Sequence, residues 1–155
     1  MEAARAAVAS DLPRLVALAR ELRAELSAMR GGDLWAAREP QPEPLERSLG
    51  ALLDADDAAV VVGTVEGVVV GYGVVVVEEL RDGRRVGVVT DLFVEPAARK
   101  VGVGEAVVGD LLLFSRAAGC VGVDGMALPG HRQAKTFFEG AGFQARAIVM
   151  HRPLR

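Results

Sequence analysis

The chain reads as a mixed α+β (mixed α/β) domain in which a mostly antiparallel sheet is sandwiched between helices. Three observations predict this. Valine-rich runs lie back to back between residues 58 and 94, separated by Glu66-Gly67 and Asp82-Gly83, dipeptides that close tight hairpins. Helical periodicity flanks that region, starting near Leu12 on one side and near Gly104 on the other. The strand runs are apolar at nearly every position, as expected where helices cover both faces of a sheet. Long hairpins, in place of strict strand–helix alternation, select α+β over a doubly wound sheet.

The elements follow in order. A short strand is expected near Arg5–Val8. Ser10 or Asp11 then caps a helix whose first turn accepts Pro13, and Leu12, Leu15, Val16, Leu22, Leu26 and Met29 give it one face to bury. Gly31-Gly32 ends it. Asp33–Pro44 carries Trp35, Pro40, Pro42 and Pro44 and reads as a loop before a second helix at about Leu45–Leu53. Strands are expected at 58–65, 68–79 and 84–94, then a helix from about Gly104 to Ala118 that Gly119 stops. A fifth strand at Cys120–Ala127, a helix at about His131–Gly140 and a final strand at Phe143–Arg152 complete the chain.

With 155 residues, 51% of them hydrophobic, the chain is long enough for one well-buried core and too short for two ordinary domains, so residues 1–155 are expected to form one domain. A net charge of -3 with dispersed arginines argues against a nucleic-acid surface, which shows a basic face or stripe. Cys120 is the only cysteine, so no internal disulfide forms, and the chain suits a reducing compartment. It reads as a small buried hydrophobe, since neither His131 nor His151 stands in a catalytic spacing to it, and these three residues make no metal ligand set. The stretch Met1–Arg5 leads to a polar helix start and not to an apolar signal core, and Val68–Val77 is too short for a bilayer and holds Gly71 and Gly73. A soluble, cytoplasmic protein with neither membrane nor nucleic acid as partner is expected.

Chemistry concentrates where an apolar strand ends at Val94, passes Glu95-Pro96 and enters Arg99-Lys100-Val101-Gly102-Val103-Gly104 before a helix. Gly102 and Gly104 let backbone N–H groups approach a ligand closely, the helix start adds partial positive charge, and Arg99 and Lys100 add full charges, a combination suited to phosphates. Glu105 suits the helix dipole but repels a phosphate, so its side chain is expected to point away. The alternative is a tight strand-to-helix turn without a ligand. No Walker loop occurs in the chain, and a dinucleotide loop fails because Pro96 and the basic pair separate the strand from its first glycine.

The stretch Val94-Glu95-Pro96-Ala97-Ala98-Arg99-Lys100-Val101-Gly102-Val103-Gly104 resembles the acyl-CoA-binding signature of the GNAT superfamily of N-acetyltransferases. Downstream, Ala134-Lys135-Thr136-Phe137-Phe138-Glu139-Gly140-Ala141-Gly142-Phe143 is similar to that family's late helix, and the order of elements agrees over nearly the whole chain. The resemblance implies a three-layer fold whose two parallel central strands splay apart to admit acetyl-CoA. It implies pantetheine contacts at Leu92, Phe93 and Val94, and diphosphate contacts along Arg99, Lys100, Val101, Gly102, Val103, Gly104 and Glu105, with His131 and Phe138 beside the cofactor. The acetyl group then passes directly to an amine without a covalent enzyme intermediate. Three positions depart from the pattern: Phe138 stands where many relatives carry a proton-donating tyrosine, Val101 where glycine is common, and His131 where an asparagine often contacts the cofactor. His131 is a hydrogen-bond donor there or a solvated residue at a helix start.

On the acceptor side, Asp91 interrupts the apolar run Val88–Val94, and a buried carboxylate needs a partner or a function. By alternation it shares a face with Phe93, while Leu92 and Val94 lie on the other. Asp91 either orients the acceptor amine and relays its proton through water, or pairs with an arginine such as Arg84 or Arg85. Glu79, with Glu78, is a second-choice base or a solvated strand end. Tyr72, the only tyrosine, replaces the missing acid if its hydroxyl faces the cleft, and otherwise packs. Trp35 walls the acceptor pocket or covers a sheet edge. The expected function is an acetyl-CoA-dependent N-acetyltransferase acting on a primary amine of a small molecule. Its rivals are a non-catalytic acyl-CoA sensor, a protein or peptide N-acetyltransferase, and a nucleotide-binding domain of another kind. Ala145–Met150 is a candidate edge for a homodimer.

Overall fold

The computed structural model describes residues 1–155. Its sheet runs in chain order: β1 (Glu2–Ala6), β2 (Ala58–Val65), β3 (Val68–Glu79), β4 (Arg85–Val94) and β5 (Cys120–Asp124). The first three pairings are antiparallel and β4–β5 is parallel. Glu66 and Gly67 both have positive φ (49° and 82°), the backbone of a type I′ turn, so the β2–β3 hairpin closes where the sequence places it.

Helices cover both faces. On one lie α1 (Leu12–Ser27), α2 (Gly32–Arg38) and α3 (Leu45–Asp54), whose Leu15, Leu18, Leu22, Trp35 and Leu49 pack with Val60, Val62, Tyr72, Val74 and Phe93. On the other lies α4 (Val103–Ala117), whose Val103, Val107 and Leu111 pack with Val61, Val75 and Val89. Successive valines of β2 thus serve opposite cores, and the run reads as continuously apolar. α4 sits close to the sheet because Gly63 and Gly73 lack side chains: a Cβ on either would lie 2.5 Å from Val103 Cγ1 or 2.7 Å from Val107 Cγ1. That seat fixes the start of α4 beside the end of β4. α5 (Arg132–Gly140) closes the chain's regular structure.

β4 carries a bulge. Asp91 opposes Val74 and Val89 opposes Val75, which leaves Thr90 as the extra residue. Val89 consequently faces α4, whereas Asp91 and Phe93 face α1, although simple alternation puts all three on one side. β4 pairs with β5 only from Arg85 to Val88 and then continues to Val94 paired with β3 alone, so the sheet opens into a notch beside residues 89–94.

Several expected boundaries are corrected. The first strand is Glu2–Ala6 and not Arg5–Val8, and α1 ends at Ser27, before Gly31. The supposed loop Asp33–Pro44 contains α2, held by Trp35, which is 5% exposed. The fifth strand stops at Asp124, and the final strand at Phe143–Arg152 does not form: the tail makes no ladder with the free edge of β5. β5 is therefore an edge strand and not a central one. From Gln144 onward every residue is exposed, and Arg146 ties this tail to β5 through a bidentate pair with Asp124 (Nε–Oδ1 2.8 Å).

Candidate active site

After Val94 the chain makes a short 3₁₀ turn (Pro96–Ala98), and Gly102, at φ 98°, forms the N-cap of α4. A side chain there would be strained by about 1–2 kcal/mol, so the glycine follows from the backbone path. No side chain caps the helix, and no carbonyl accepts from the N–H groups of Val103, Gly104 or Glu105. The α4 N-terminus therefore offers three uncommitted donors and the positive end of a 15-residue dipole. Lys100 is exposed and in no ion pair, Val101 is exposed, and Glu105 is exposed and unpaired. The ring of Phe137 lies against Gly104, within 3.0 Å of where a Cβ would stand, so α5 reaches the same turn.

Arg99 is placed differently from the freely mobile cation the sequence suggests. Its Nε donates to the Val94 carbonyl (2.7 Å), its Nη2 to Glu25 Oε1 (2.9 Å), and its guanidinium lies 5.3 Å from the centre of the Phe93 ring. It thus joins α1 to the end of β4. His131, the N-cap of α5, lies near this group. Burial pushes its pKa down, Glu25 pushes it up, and the Arg99 charge pushes it down again. Phe138 is buried against Gly125 and the rings of Phe137 and Phe143, and Leu92 and Val94 pack toward α4. Sequence reading missed Glu25, and also Glu2, whose Cγ comes within 3.1 Å of the Cβ position on Gly102; neither residue stands in a motif.

On the other side of β4, Asp91 is 5% exposed and fully engaged. Tyr72 Oη donates to its Oδ2 (2.7 Å), and Gln41 Nε2 (2.9 Å) and Thr90 Oγ1 (2.8 Å) donate to its Oδ1. The alternative pairing with an arginine does not occur: Arg84 binds Asp82 and Arg85 binds the Ala118 carbonyl. Tyr72 is fully buried, and its hydroxyl pKa is raised well above the ordinary value, by burial first and then by the Asp91 charge and hydrogen bond. Its hydroxyl faces Asp91, so it stays protonated as a donor and is not the missing acid. A crevice of about 10 Å³, room for one water, opens beside Asp91 between Trp35, Gln41 and Thr90. Trp35 therefore does wall this crevice. Glu79 is not brought to it: it opposes Arg85 at the far end of β3, roughly 17 Å along the strand from the Asp91 level at ~3.3 Å per residue.

The site thus combines a notch in a mixed sheet, an uncapped helix start just after the end of β4 and a buried carboxylate on β4. The chain belongs to the acetyltransferase (GNAT) family, whose profile it matches over residues 19–143. Glucosamine 6-phosphate N-acetyltransferase of Trypanosoma brucei brucei is 37% identical over 70 residues, 45% of this chain and 46% of the relative, so the match spans less than half of that protein. The glucosamine-6-phosphate N-acetyltransferase of Arabidopsis thaliana shares the fold at TM-score 0.70 with 22% identity, covering 100% of this chain and 99% of the other. AAC(6')-Iy, solved with the bisubstrate analogue CoA-S-monomethyl-acetylneamine, shares it at TM-score 0.74 with 19% identity, covering 100% and 99%.

Proposed function

We propose that residues 1–155 form one acetyltransferase domain that moves the acetyl group of acetyl-CoA directly to a primary amine of a small molecule. The observation that carries the reading is the row of uncommitted N–H groups at Val103, Gly104 and Glu105, set behind Gly102 at the mouth of the β4–β5 notch. The residues present fit a diphosphate: fixed donors, a helix dipole and the unpaired Lys100. Leu92, Phe93 and Val94 border the notch and would line a pantetheine arm laid along β4; the Val94 carbonyl is already held by Arg99. His131 and Phe138 complete the wall from α5 and the end of β5.

Acetyl-CoA supplies the thioester. The amine nitrogen, in its neutral form, attacks the thioester carbonyl carbon; a C–N bond forms, the C–S bond breaks and coenzyme A leaves as the thiolate. The nitrogen loses a proton, which Asp91 accepts through water in the crevice and passes to solvent. The thiolate takes its proton from solvent, because Phe138 has none to give and Tyr72 is buried. One relative is named for glucosamine 6-phosphate, and another is solved with an analogue that joins CoA to an acetylneamine group, which supports a small-molecule amine over a folded protein surface.

The lone Cys120, which forms no internal disulfide, supports a reducing, cytoplasmic setting. The tail, with Ile148, Val149 and Met150 78–88% exposed beside the free edge of β5, is the part that a homodimer would cover. Thiol release from acetyl-CoA with a panel of primary amines tests the function. Amine-dependent release supports it; binding of acetyl-CoA with no release above background for any amine would instead make the chain an acyl-CoA sensor, and release only with peptides would make it a peptide acetyltransferase.

A further inference from the structure

We infer that Gln41 and Arg23 select, as acceptor, an amine that also carries an oxyanion group such as phosphate or carboxylate; this rests on the transfer reading above. The orientation of Gln41 follows from chemistry. Its nearer terminal atom lies 2.9 Å from Asp91 Oδ1, and a carboxylate oxygen only accepts, so that atom is the amide nitrogen. The same nitrogen reaches Thr90 Oγ1 at 3.2 Å. Gln41 Oε1 is left without a protein partner and is not sealed from solvent, at the edge of the crevice that Asp91 lines. It is a fixed acceptor for the N–H groups of an ammonium, next to a negative charge.

Arg23 lines the same crevice from α1. Its two contacts are both long: Nη1 to Glu43 Oε2 at 3.3 Å and Nη2 to the Ala36 carbonyl at 3.4 Å. Glu43 has a nearer partner in Arg20, at 2.7 Å, and it is chiefly Arg20 that holds the Glu43 carboxyl below its ordinary range. Glu43 therefore remains paired without Arg23, and the Arg23 fork is open to a bidentate oxyanion. The crevice itself holds one water, so the acceptor lies across its open mouth, where Trp35 and Pro40 supply an apolar wall. The signs fix the direction in which the acceptor lies: an anion is repelled from Asp91 and drawn to Arg23, which leaves the amine at Gln41 and Asp91.

The test uses matched amines with and without the anion: glucosamine and its 6-phosphate, ethanolamine and phosphoethanolamine, tyramine and tyrosine. Two readouts are taken on the full chain, kcat/KM by thiol release and the thermal shift each amine produces in the CoA-bound protein. The anionic member of at least one pair is expected to be favoured by about tenfold or more, the scale of a charged hydrogen-bonded contact. Arg23→Gln should erase most of that preference and Arg23→Lys should retain part of it, since a point charge replaces the fork. A wild type indifferent to the anion in every pair, or a preference unchanged in both variants, overturns the inference. Absence of thiol release with all amines counts against the transfer reading alone, because the thermal shifts still decide the preference; equal shifts for both members of every pair overturn it.

Discussion

Tyr72 Oη donates to Asp91 Oδ2 across 2.7 Å between adjacent strands, with Tyr72 fully buried and Asp91 5% exposed. The pair exists because Thr90 bulges out of β4 and turns Asp91 toward α1. Tyr72→Phe leaves Oδ2 short of a donor where water hardly reaches, at a cost of about 1–3 kcal/mol, equivalent to roughly 2–12 °C in Tm for a chain of this size. Tyr72 positions Asp91, so kcat is expected to fall while KM for acetyl-CoA stays within about threefold. Thermal melting together with steady-state kinetics checks both parts; an unchanged kcat would assign the tyrosine to packing only.

Asp91→Asn keeps the shape of the cluster but removes the charge that draws and deprotonates the acceptor. Turnover is expected to drop by about 10²-fold or more, the range of general base contributions, with acetyl-CoA affinity nearly retained. Calorimetric titration of acetyl-CoA set beside the thiol assay separates the two; equal loss in both contradicts the role.

Gly102→Ala places a side chain at φ 98° and against Glu2, destabilising by about 1–2 kcal/mol. The same substitution tilts the N–H groups of Val103 and Gly104 away from their common focus, so the thermal response to acetyl-CoA should shrink at least tenfold in apparent affinity. A full response in a folded Gly102→Ala protein would place the phosphates elsewhere.

His131 gives the fold a pH dependence whose sign follows from its environment. Burial lowers its pKa; Glu25 opposes this and Arg99 reinforces it. Below about pH 6.5, the ordinary histidine value, the unfolded chain takes up a proton that the folded chain resists, so stability falls with pH there and is unaffected above it. Asp11, lowered by its Arg5 hydrogen bond, contributes above the ordinary carboxylate range and loses that contribution only in stronger acid. The fall in Tm between pH 7.5 and 5.5 should therefore be smaller in His131→Gln than in the natural chain; identical profiles would contradict this.

The hairpins at Glu66-Gly67 and Asp82-Gly83, the apolar strands between them and the helix after Gly102 were legible because turn chemistry and periodicity are local. α2 was not: seven residues with Gly32 at their head have weak intrinsic helicity, and burial of Trp35 supplies what propensity lacks. The tail shows the reverse, since Ala145–Met150 has strand composition but pairs with no strand, and composition alone does not make one. Asp91 was visible as a charge in an apolar run, yet its partners Tyr72 and Gln41 come from distant segments, and the bulge that brings them together leaves no mark in the sequence. Arg99 likewise reads as a loop cation in the sequence, because its partner Glu25 lies on a helix far earlier in the chain.

Amide hydrogen exchange, read residue by residue with and without acetyl-CoA, tests the central claim most directly. Binding should slow exchange of the N–H groups from Gly102 to Glu105, which have no partner in the protein itself, and of those along Leu92–Val94. Tight binding that leaves these amides unprotected and shields another region would contradict the account.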